Sequence, residues 1–409
     1  MKQDKKAKKI LLFFQGLPYP PFGKIRVFDM IRTLSKYHSI TLVSFIHSKQ
    51  EEKYIPVLKE YCDNVVTMLA PNKRSFFHRI AYRIVFTLIS IITIKPINVL
   101  YNFQGPMRRK MREISEQEHP DIVQIEYWDS SDYLKDVNNV YEVIDEGSLK
   151  FIQYQRTFHT LKYGFKKILA WYKWKITQRY ELQSYRKADL IIVVSPEDKK
   201  TIQSCLPNLK NIIVIPTGID TSFYQPVSPN LDSKRLFFLG SMSFEPNVDA
   251  MIYFVNEIFP VILREHPSIE LFIIGQNPRP SIKEFAKRNS VIVTGTVDNV
   301  RPYIEKCAVS VVPLRIGSGV KGKILVAMAM GKPVITTSIG AEGMGFTPEE
   351  NIIIVDHPKE FAERIIEVLE NKVLREKLAR AGRKFVEENY SLEATYGKLA
   401  EMYEHLPKR

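Results

Sequence analysis

Residues 309–344 read VSVVPLRIGSGVKGKILVAMAMGKPVITTSIGAEGM, and this stretch decides the fold class. Residues 309–313 are an apolar run typical of a buried strand, and a Gly-rich segment at 317–323 follows this run. Residues 321–330 then have the composition of a helix, and residues 333–336 form a second apolar run. Strand, loop, helix and strand in this order predict a βαβ unit and therefore a parallel sheet.

The Gly-rich segment has the chemistry of an anion site. Gly317, Ser318, Gly319 and Val320 precede the predicted helix, so free backbone N–H groups would lie at its positive end, where a diphosphate binds well. Lys321 and Lys323 add two positive charges. The spacing matches neither GxxxxGK[ST] nor GxGxxG, so a Gly-rich turn without function is the alternative interpretation.

The same alternation of apolar runs and amphipathic stretches extends over the whole chain. Strands are predicted in the first half at 8–14, 39–45, 121–126, 139–144, 188–194 and 211–215. Strands are predicted in the second half at 235–239, 269–274, 291–293, 309–313, 333–336 and 351–355. A turn-rich connection at 216–220 marks the predicted boundary, so we expect an α/β protein of two Rossmann-like domains, 1–215 and 216–409.

Charge is distributed unevenly along the 409 residues. Residues 1–215 contain 35 Lys+Arg and 21 Asp+Glu, whereas residues 216–409 contain 24 of each, so the first half carries the whole excess of +14. Such asymmetry predicts an anionic partner for the first half. The three cysteines, Cys62, Cys205 and Cys307, have no CxxC spacing, which argues against a zinc ribbon or a disulfide framework and fits a reducing compartment.

Two segments of the first half allow more than one interpretation. In residues 76–103, His78, Arg79, Arg83 and Lys95 flank Phe, Ile and Leu residues, which fits either an interfacial membrane segment or a buried helix with solvated ends. Residues 151–186 interleave aromatic and basic side chains, as a single-stranded nucleic-acid site would. We favour one long helix that packs its aromatic side chains on the sheet and extends its lysines outward, and we expect no nucleic-acid partner.

Six stretches carry a family resemblance that spans nearly the whole chain. They are LPYPPFGKIR at 17–26, DIVQIEYW at 121–128, RKADLIIVVSPEDK at 186–199, VIPTGIDTSFYQP at 214–226, FLGSMSFEPNVDAM at 238–251 and the stretch at 317–344. In order and spacing they resemble the retaining glycosyltransferases of the bacterial "group 1" family, which is similar to glycosyltransferase family four. The resemblance implies a GT-B fold, in which two Rossmann-like domains face each other across a cleft and a last helix, here 391–404, crosses back to the N-terminal domain.

The resemblance also assigns residues to the substrates. The C-terminal domain would hold a UDP- or GDP-linked sugar, with the base against Gly295, Thr296 and Val297 and with Gly240, Ser241 and Asn247 lining the same site. Gly23 would face the donor phosphates. The diphosphate would contact the loop from Gly317 to Val320, and Lys321 and Lys323 would stabilise the leaving group, with Asp145 and Glu146 as acids near the acceptor. Glu126 is a third such acid.

The implied activity is metal-independent, retaining transfer of a sugar to a glycan or lipid-linked acceptor in cell-envelope or exopolysaccharide synthesis. The nucleotide-sugar is a substrate, so we expect no cofactor, and no HExxH or DxD pattern predicts a metal. We expect a cytoplasmic enzyme, with peripheral contact to an anionic membrane as an open possibility. Val326 and Gly147 stand where relatives commonly have Glu and His, so a catalytically impaired scaffold or regulatory protein of a glycan-assembly complex is the alternative.

Overall fold

The computed structural model describes residues 8–19, 25–70, 89–161, 163–226, 233–317 and 319–407. The chain divides into two compact units. Unit 1 comprises Met1–Pro216 together with Tyr396–Arg409, and unit 2 comprises Thr217–Thr395. Each unit contains one fully parallel sheet with helices between successive strands, as the alternation of apolar runs predicts.

The sheet of unit 1 has seven strands in the order β3-β2-β1-β4-β5-β6-β7. Its central strands β4 and β6 are buried along their whole length, as expected for a parallel sheet covered on both faces. In register, Ile10 of β1 lies opposite both Ile40 of β2 and Ile122 of β4. The strands are β1 Lys9–Phe14, β2 Ser39–Ile46, β3 Asn64–Leu69, β4 Ile122–Glu126, β5 Tyr141–Glu146, β6 Leu190–Val193 and β7 Ile212–Val214.

The helices of unit 1 connect these strands on the two faces of the sheet. They are α1 Ile25–Leu34, α2 Ile55–Leu58, α3 Ile97–Asn102, α4 Gly105–Glu118, α5 Lys150–Thr160, α6 Phe165–Tyr185 and α7 Pro196–Cys205. Two 3₁₀ segments, Lys49–Tyr54 and Trp128–Asp136, add short turns. Ser195 caps α7 by accepting a hydrogen bond from the Asp198 N–H, with Pro196 in the first turn, so this serine has a structural role.

The sheet of unit 2 has six strands in the order β10-β9-β8-β11-β12-β13. The strands are β8 Arg235–Leu239, β9 Glu270–Ile274, β10 Val291–Gly295, β11 Val309–Val312, β12 Val334–Thr336 and β13 Ile353–Ile354. The helices are α8 Glu245–Tyr253, α9 Phe259–Glu265, α10 Pro280–Lys283, α11 Arg301–Glu305, α12 Gly322–Ala329, α13 Ser338–Ala341, α14 Pro358–Glu370 and α15 Lys372–Tyr390. A π-helical segment, Phe254–Ile258, joins α8 to α9, and a 3₁₀ segment, Glu284–Lys287, extends α10.

The C-terminal segment returns to unit 1 after α15. The Ile219 N–H donates to the Tyr390 carbonyl at 2.7 Å, so the residues that enter unit 2 lie beside those that leave it. A π-helical segment, Glu393–Gly397, then leads to α16 Lys398–Glu404. In α16 the Tyr403 hydroxyl donates to Gln124 Oε1 on β4 at 2.7 Å, and the Ala400 carbonyl contacts His38 Nε2 at 2.9 Å.

The expectation of one long helix over 151–186 is wrong in one respect. The structure has two helices there, α5 and α6, which pair as a hairpin and are joined by residues 161–164. The second half of α6 packs inward through buried Ile176 and Tyr185, as expected, but Phe165 and Trp171 in its first half are exposed. Packing on the sheet therefore explains only the part of the aromatic pattern that lies far from the hairpin turn.

Several expectations concern residues outside the described ranges. Gly23 and Ser318 are among them, as are His78, Arg79 and Arg83 of the basic, apolar segment at 76–103. Within the part of the chain that is described, no helix is long and apolar enough to cross a bilayer.

Candidate functional site

The Gly-rich loop of unit 2 connects the carboxyl end of β11 to the start of α12, as the βαβ pattern predicts. Gly319 has φ of +72°, a conformation that is strained for residues with a Cβ, and an added Cβ would have open space around it. Gly317 lies at the start of the loop, and Val320 packs against the core of unit 2. The glycines therefore leave the backbone open enough that it could approach a ligand closely.

The two lysines of the loop lie in different environments. Lys321 is almost fully buried, and its ammonium donates to the Gly319 carbonyl at 2.6 Å, which holds the turn in shape. Lys323 is partly buried, and its ammonium donates to Asn247 Oδ1 at 2.6 Å and lies 4.8 Å from the centre of the Phe238 ring. Burial, with a smaller contribution from the charge of Lys321, lowers the pKa of Lys323 to about 8.

Asn247 ties this loop to the end of the neighbouring strand β8. Its side-chain amide donates to the Ser241 carbonyl at 2.9 Å while its oxygen accepts from Lys323. Gly240 directly follows β8, and a Cβ there would lie 2.6 Å from Asn247 Nδ2 and 3.3 Å from Lys323 Cε. The close approach requires glycine at this position, so the structure brings Gly240, Ser241, Asn247, Lys321 and Lys323 together.

The expected base-binding residues lie further along the same edge of the sheet. Gly295 is the last residue of β10 and has φ of +70°, Thr296 after it is exposed, and Val297 packs against the core. Strands β9 and β8 lie between β10 and β11. At the usual strand spacing this puts Gly295 roughly 14 Å from β11, on the edge where the carboxyl ends of all six strands meet.

In unit 1, Asp145 forms an ion pair that was not expected from the sequence. Asp145 lies at the carboxyl end of β5, is fully buried, and accepts two hydrogen bonds from the Arg26 guanidinium at 2.7 and 2.8 Å. Glu126, at the end of β4, lies 3.7 Å from the same guanidinium. Burial lowers the pKa of Arg26, but the charge and hydrogen bonds of Asp145, together with the charges of Tyr396 and Glu126, outweigh burial and hold this pKa well above its usual value. Arg26 therefore links α1 to two strand ends.

Glu146 belongs to a separate buried cluster. It accepts hydrogen bonds from the Trp128 N–H at 3.2 Å and from the Tyr185 hydroxyl at 3.3 Å. The Tyr185 hydroxyl also lies 2.9 Å from Glu181 Oε1, and Glu181 accepts from the backbone N–H groups of Lys150 and Phe151 at the start of α5. Burial raises the pKa of Glu181 to about 8 and, with the charge of Glu181, raises that of Glu146. The cluster anchors the helical hairpin to the sheet.

The space beside Gly147 is taken by an aromatic ring. A Cβ on Gly147 would lie 3.2 Å from Tyr127 Cε1, and Tyr127 itself has φ of +72°, an unusual conformation for a residue with a large side chain. Sequence reasoning did not identify Tyr127 or Arg26, although both lie within stretches that carry the family resemblance. In unit 2, Val326 lies on α12 and packs against the core.

Comparison with known families decides the identity of the chain. A model described as Glycosyltransferase Family 4 matches residues 26–223, and one described as Glycosyl transferases group 1 matches residues 233–371. The chain is a group 1 glycosyltransferase. The first match lies mainly in unit 1 and the second lies within unit 2, so both units of the glycosyltransferase are covered.

Known proteins resemble this glycosyltransferase over almost its full length. An uncharacterized protein from the cps region of Klebsiella pneumoniae is 24% identical over 418 residues, which cover 96% of this chain and 98% of that protein. Sucrose-phosphate synthase from Thermosynechococcus elongatus superposes with a TM-score of 0.66 at 16% identity, covering 97% and 98% of the two chains. Anabaena HepE in complex with UDP-glucose superposes with a TM-score of 0.68 at 12% identity, covering 98% and 100%. These structures show the GT-B fold.

Proposed function

We propose that this glycosyltransferase moves a sugar from a UDP- or GDP-linked donor to a glycan or lipid-linked acceptor in cell-envelope or exopolysaccharide synthesis. The observation that carries the donor assignment is the pair of lysines, Lys321 and Lys323, held at the Gly-rich loop beside Asn247. The similarity to a protein from a cps region supports the polysaccharide assignment, and the likeness to HepE bound to UDP-glucose supports a nucleotide-sugar.

The environment of Lys323 favours a diphosphate as its ligand. Two like charges lie close together in a partly buried loop, and Lys323 is hydrogen-bonded to a neutral amide. An anion would relieve the repulsion between the lysines and favour the charged form of both. As the sugar leaves, negative charge grows on the diphosphate, so the same lysines and the N–H groups at the start of α12 would stabilise the transition state more than the ground state.

We further propose that transfer is retaining and independent of metal. In this scheme the departing diphosphate assists the incoming acceptor, and the two lysines supply the positive charge that a metal ion would supply elsewhere. Among residues placed by the structure, no three His, Cys, Asp or Glu side chains are grouped as metal ligands would be. The free thiols Cys62, Cys205 and Cys307 support a reducing, cytoplasmic location, where we propose that the enzyme acts at a membrane surface.

A thermal-shift screen against UDP, GDP, ADP, TDP and CMP tests the donor assignment. We expect one nucleoside diphosphate to raise the melting temperature. At one hundred times its dissociation constant it should add about 2.7 kcal/mol to the free energy of unfolding, and the shift should persist in EDTA. The Lys321→Ala variant should lose the shift. NMR of the product formed from the matching nucleotide-sugar would then show whether the anomeric configuration is retained.

The same screen distinguishes the transferase from the alternative function, a scaffold without turnover. Val326 offers no side-chain oxygen to a ribose hydroxyl, which is the observation that favours a scaffold without turnover. Absence of any shift, together with absence of donor hydrolysis, would support the scaffold and contradict transfer. Donor turnover that is abolished by Lys321→Ala would exclude the scaffold.

Nucleotide binding should depend on pH through Lys323. Its pKa in the free protein is about 8, so the ammonium is mostly charged at pH 7 and mostly neutral at pH 9. Because only the charged form attracts the diphosphate, affinity should fall about tenfold between pH 7 and pH 9, with proton uptake on binding near pH 8. Isothermal titration calorimetry in two buffers measures both quantities. Lys323→Arg, which stays charged, should flatten the profile, and a flat profile in the unaltered protein would contradict the assignment.

A further inference from the structure

The turn of the helical hairpin in unit 1 carries large apolar side chains that face solvent. Tyr163 between α5 and α6 is 98% exposed, and Phe165, Ile168, Leu169 and Trp171 in the first part of α6 are 46–72% exposed. Phe165, Ile168, Leu169 and Tyr172 follow the i, i+3, i+4, i+7 spacing, so they lie on one face of the helix. A contiguous apolar face of this kind on a folded domain marks an interaction surface.

A second exposed apolar segment adjoins this face. Ile91, Ile92 and Ile94 are 53–80% exposed, and the hydroxyl of their neighbour Ser90 lies 3.5 Å from the hydroxyl of Tyr172. The two segments therefore form one surface, which we call the hairpin-tip surface. Its exposed apolar members are Ile91, Ile92, Ile94, Tyr163, Phe165, Ile168, Leu169 and Trp171.

Positive charge surrounds the hairpin-tip surface. In sequence, residues 147–180 contain eight Lys+Arg and no Asp or Glu. Several of these ammonium groups lie over aromatic rings, with Lys167 4.8 Å from the Tyr163 ring, Lys175 4.0 Å from the Trp174 ring and Lys173 4.2 Å from the Tyr154 ring. The surface thus combines an apolar face with a basic rim.

Anionic lipid is the partner that matches both features. A nucleic acid would use the aromatic rings and the lysines, but it would gain little from Ile91, Ile92 and Ile168. A second copy of the chain would bring two basic rims together, which is repulsive. A bilayer accepts aliphatic and aromatic side chains at the boundary of its acyl region while its anionic headgroups attract the lysines.

We propose that the hairpin-tip surface docks this glycosyltransferase on an anionic lipid bilayer. This proposal rests on the proposed function in one respect, since the purpose of docking would be to bring unit 1 to a lipid-linked acceptor. The buried Glu146, Tyr185 and Glu181 cluster holds the base of the hairpin, so the exposed turn is presented by a rigid element.

Vesicle co-sedimentation tests this assignment directly. The probes are phosphatidylcholine vesicles with and without about one third phosphatidylglycerol, a composition that supplies the negative surface potential that attracts lysines. We expect binding to the anionic vesicles only. The double variant Ile168→Glu/Trp171→Glu should bind at least tenfold more weakly. Lys166→Gln/Lys167→Gln should weaken binding at low salt and make binding less dependent on salt. Val373→Glu, which alters an apolar residue of unit 2 that is 77% exposed, is the control and should bind as the unaltered protein does.

Fluorescence locates the contact on the surface. Of the three tryptophans, Trp128 is buried and Trp174 partly buried, while Trp171 is 48% exposed, so a blue shift on vesicle addition that Trp171→Phe removes would report contact of this side chain with lipid. Equal binding to neutral vesicles, unchanged binding of the Ile168→Glu/Trp171→Glu variant, or binding of single-stranded oligonucleotide instead of vesicles would each overturn the proposal.

Nucleotide titration of the same samples keeps this inference separate from the proposed function. Vesicle binding without any nucleotide binding would refute the transferase and leave the docking surface intact. Nucleotide binding by a protein that ignores anionic vesicles would refute the docking surface and leave the transferase intact. Unchanged melting temperature and nucleotide affinity in the Ile168→Glu/Trp171→Glu variant would show that loss of vesicle binding is not loss of folding.

Discussion

Replacing Lys323 by Met is expected to lower the rate of sugar transfer about 10²–10³-fold at saturating donor, because a charged donor is removed from the position where the diphosphate develops negative charge. The same change should raise the melting temperature of the nucleotide-free protein at pH 7. The folded-state pKa of Lys323 is about 8, below the value of an unfolded lysine, so its charged form destabilises the folded state below that pH. Opposite changes in activity and stability are the mark of a residue kept for function.

Lys332 provides a matched control for this prediction. Lys332 is buried, burial likewise lowers its pKa to about 8, and its ammonium donates to the Glu305 carbonyl. It lies just before β12, at the amino end of that strand, whereas the Gly-rich loop lies at the carboxyl end of β11. Lys332→Met should therefore change stability but leave the rate of transfer unaltered. Steady-state kinetics and thermal melts of both variants measure the two effects, and a slow Lys332→Met or a fully active Lys323→Met would contradict the assignment.

Replacing Arg26 by Met is expected to destabilise unit 1 by about 3–5 kcal/mol, because it leaves the buried Asp145 carboxylate without its cation. Glu126 loses the same neighbour. Burial and the charge of Asp145 already raise the pKa of Glu126 well above its usual range, so the remaining acids would repel each other more strongly. Urea denaturation measures the change in the free energy of unfolding.

A double-mutant cycle shows whether the ion pair is the cause. Asp145→Asn in the Arg26→Met background should restore part of the lost stability, since a neutral amide is less costly to bury than an unpaired carboxylate. If Arg26→Met unfolds at the same urea concentration as the unaltered protein, the pair is not structural. Asp145 would then be available for the acceptor role that the family resemblance implies for it.

Most of the strands and the Gly-rich loop could be predicted from the sequence because their signals are local. The apolar run at 309–313, the glycines at 317 and 319 and the helix that follows them all appear in the structure in the expected order. Strand β3 and helices α4 and α15 did not stand out in the sequence pattern. In β3, Asn64–Leu69, no residue is fully buried, so its alternation of apolar and polar residues is weak.

The contacts that give the site its properties could not be predicted in this way. Arg26 and Asp145 are 119 residues apart, Asn247 and Lys323 are 76 apart, and Gln124 and Tyr403 are 279 apart. No spacing rule relates such pairs, because they meet only when strands that are distant in sequence become neighbours in a sheet. The same holds for the aromatic residues of 151–186, whose burial depends on where the helix turns away from the sheet.

The sequence by itself determined the alternation of strands and helices, the Gly-rich loop before α12 and the excess of positive charge in the first half. Backbone sterics, apolar periodicity and composition act over a few residues, so a linear pattern carries them. Only the tertiary structure decided which lysines have a lowered pKa, which acids are held by Arg26 and Tyr185, and which apolar side chains face solvent at the hairpin turn. Burial and electrostatic interaction depend on every group nearby in space, whatever its position in the chain.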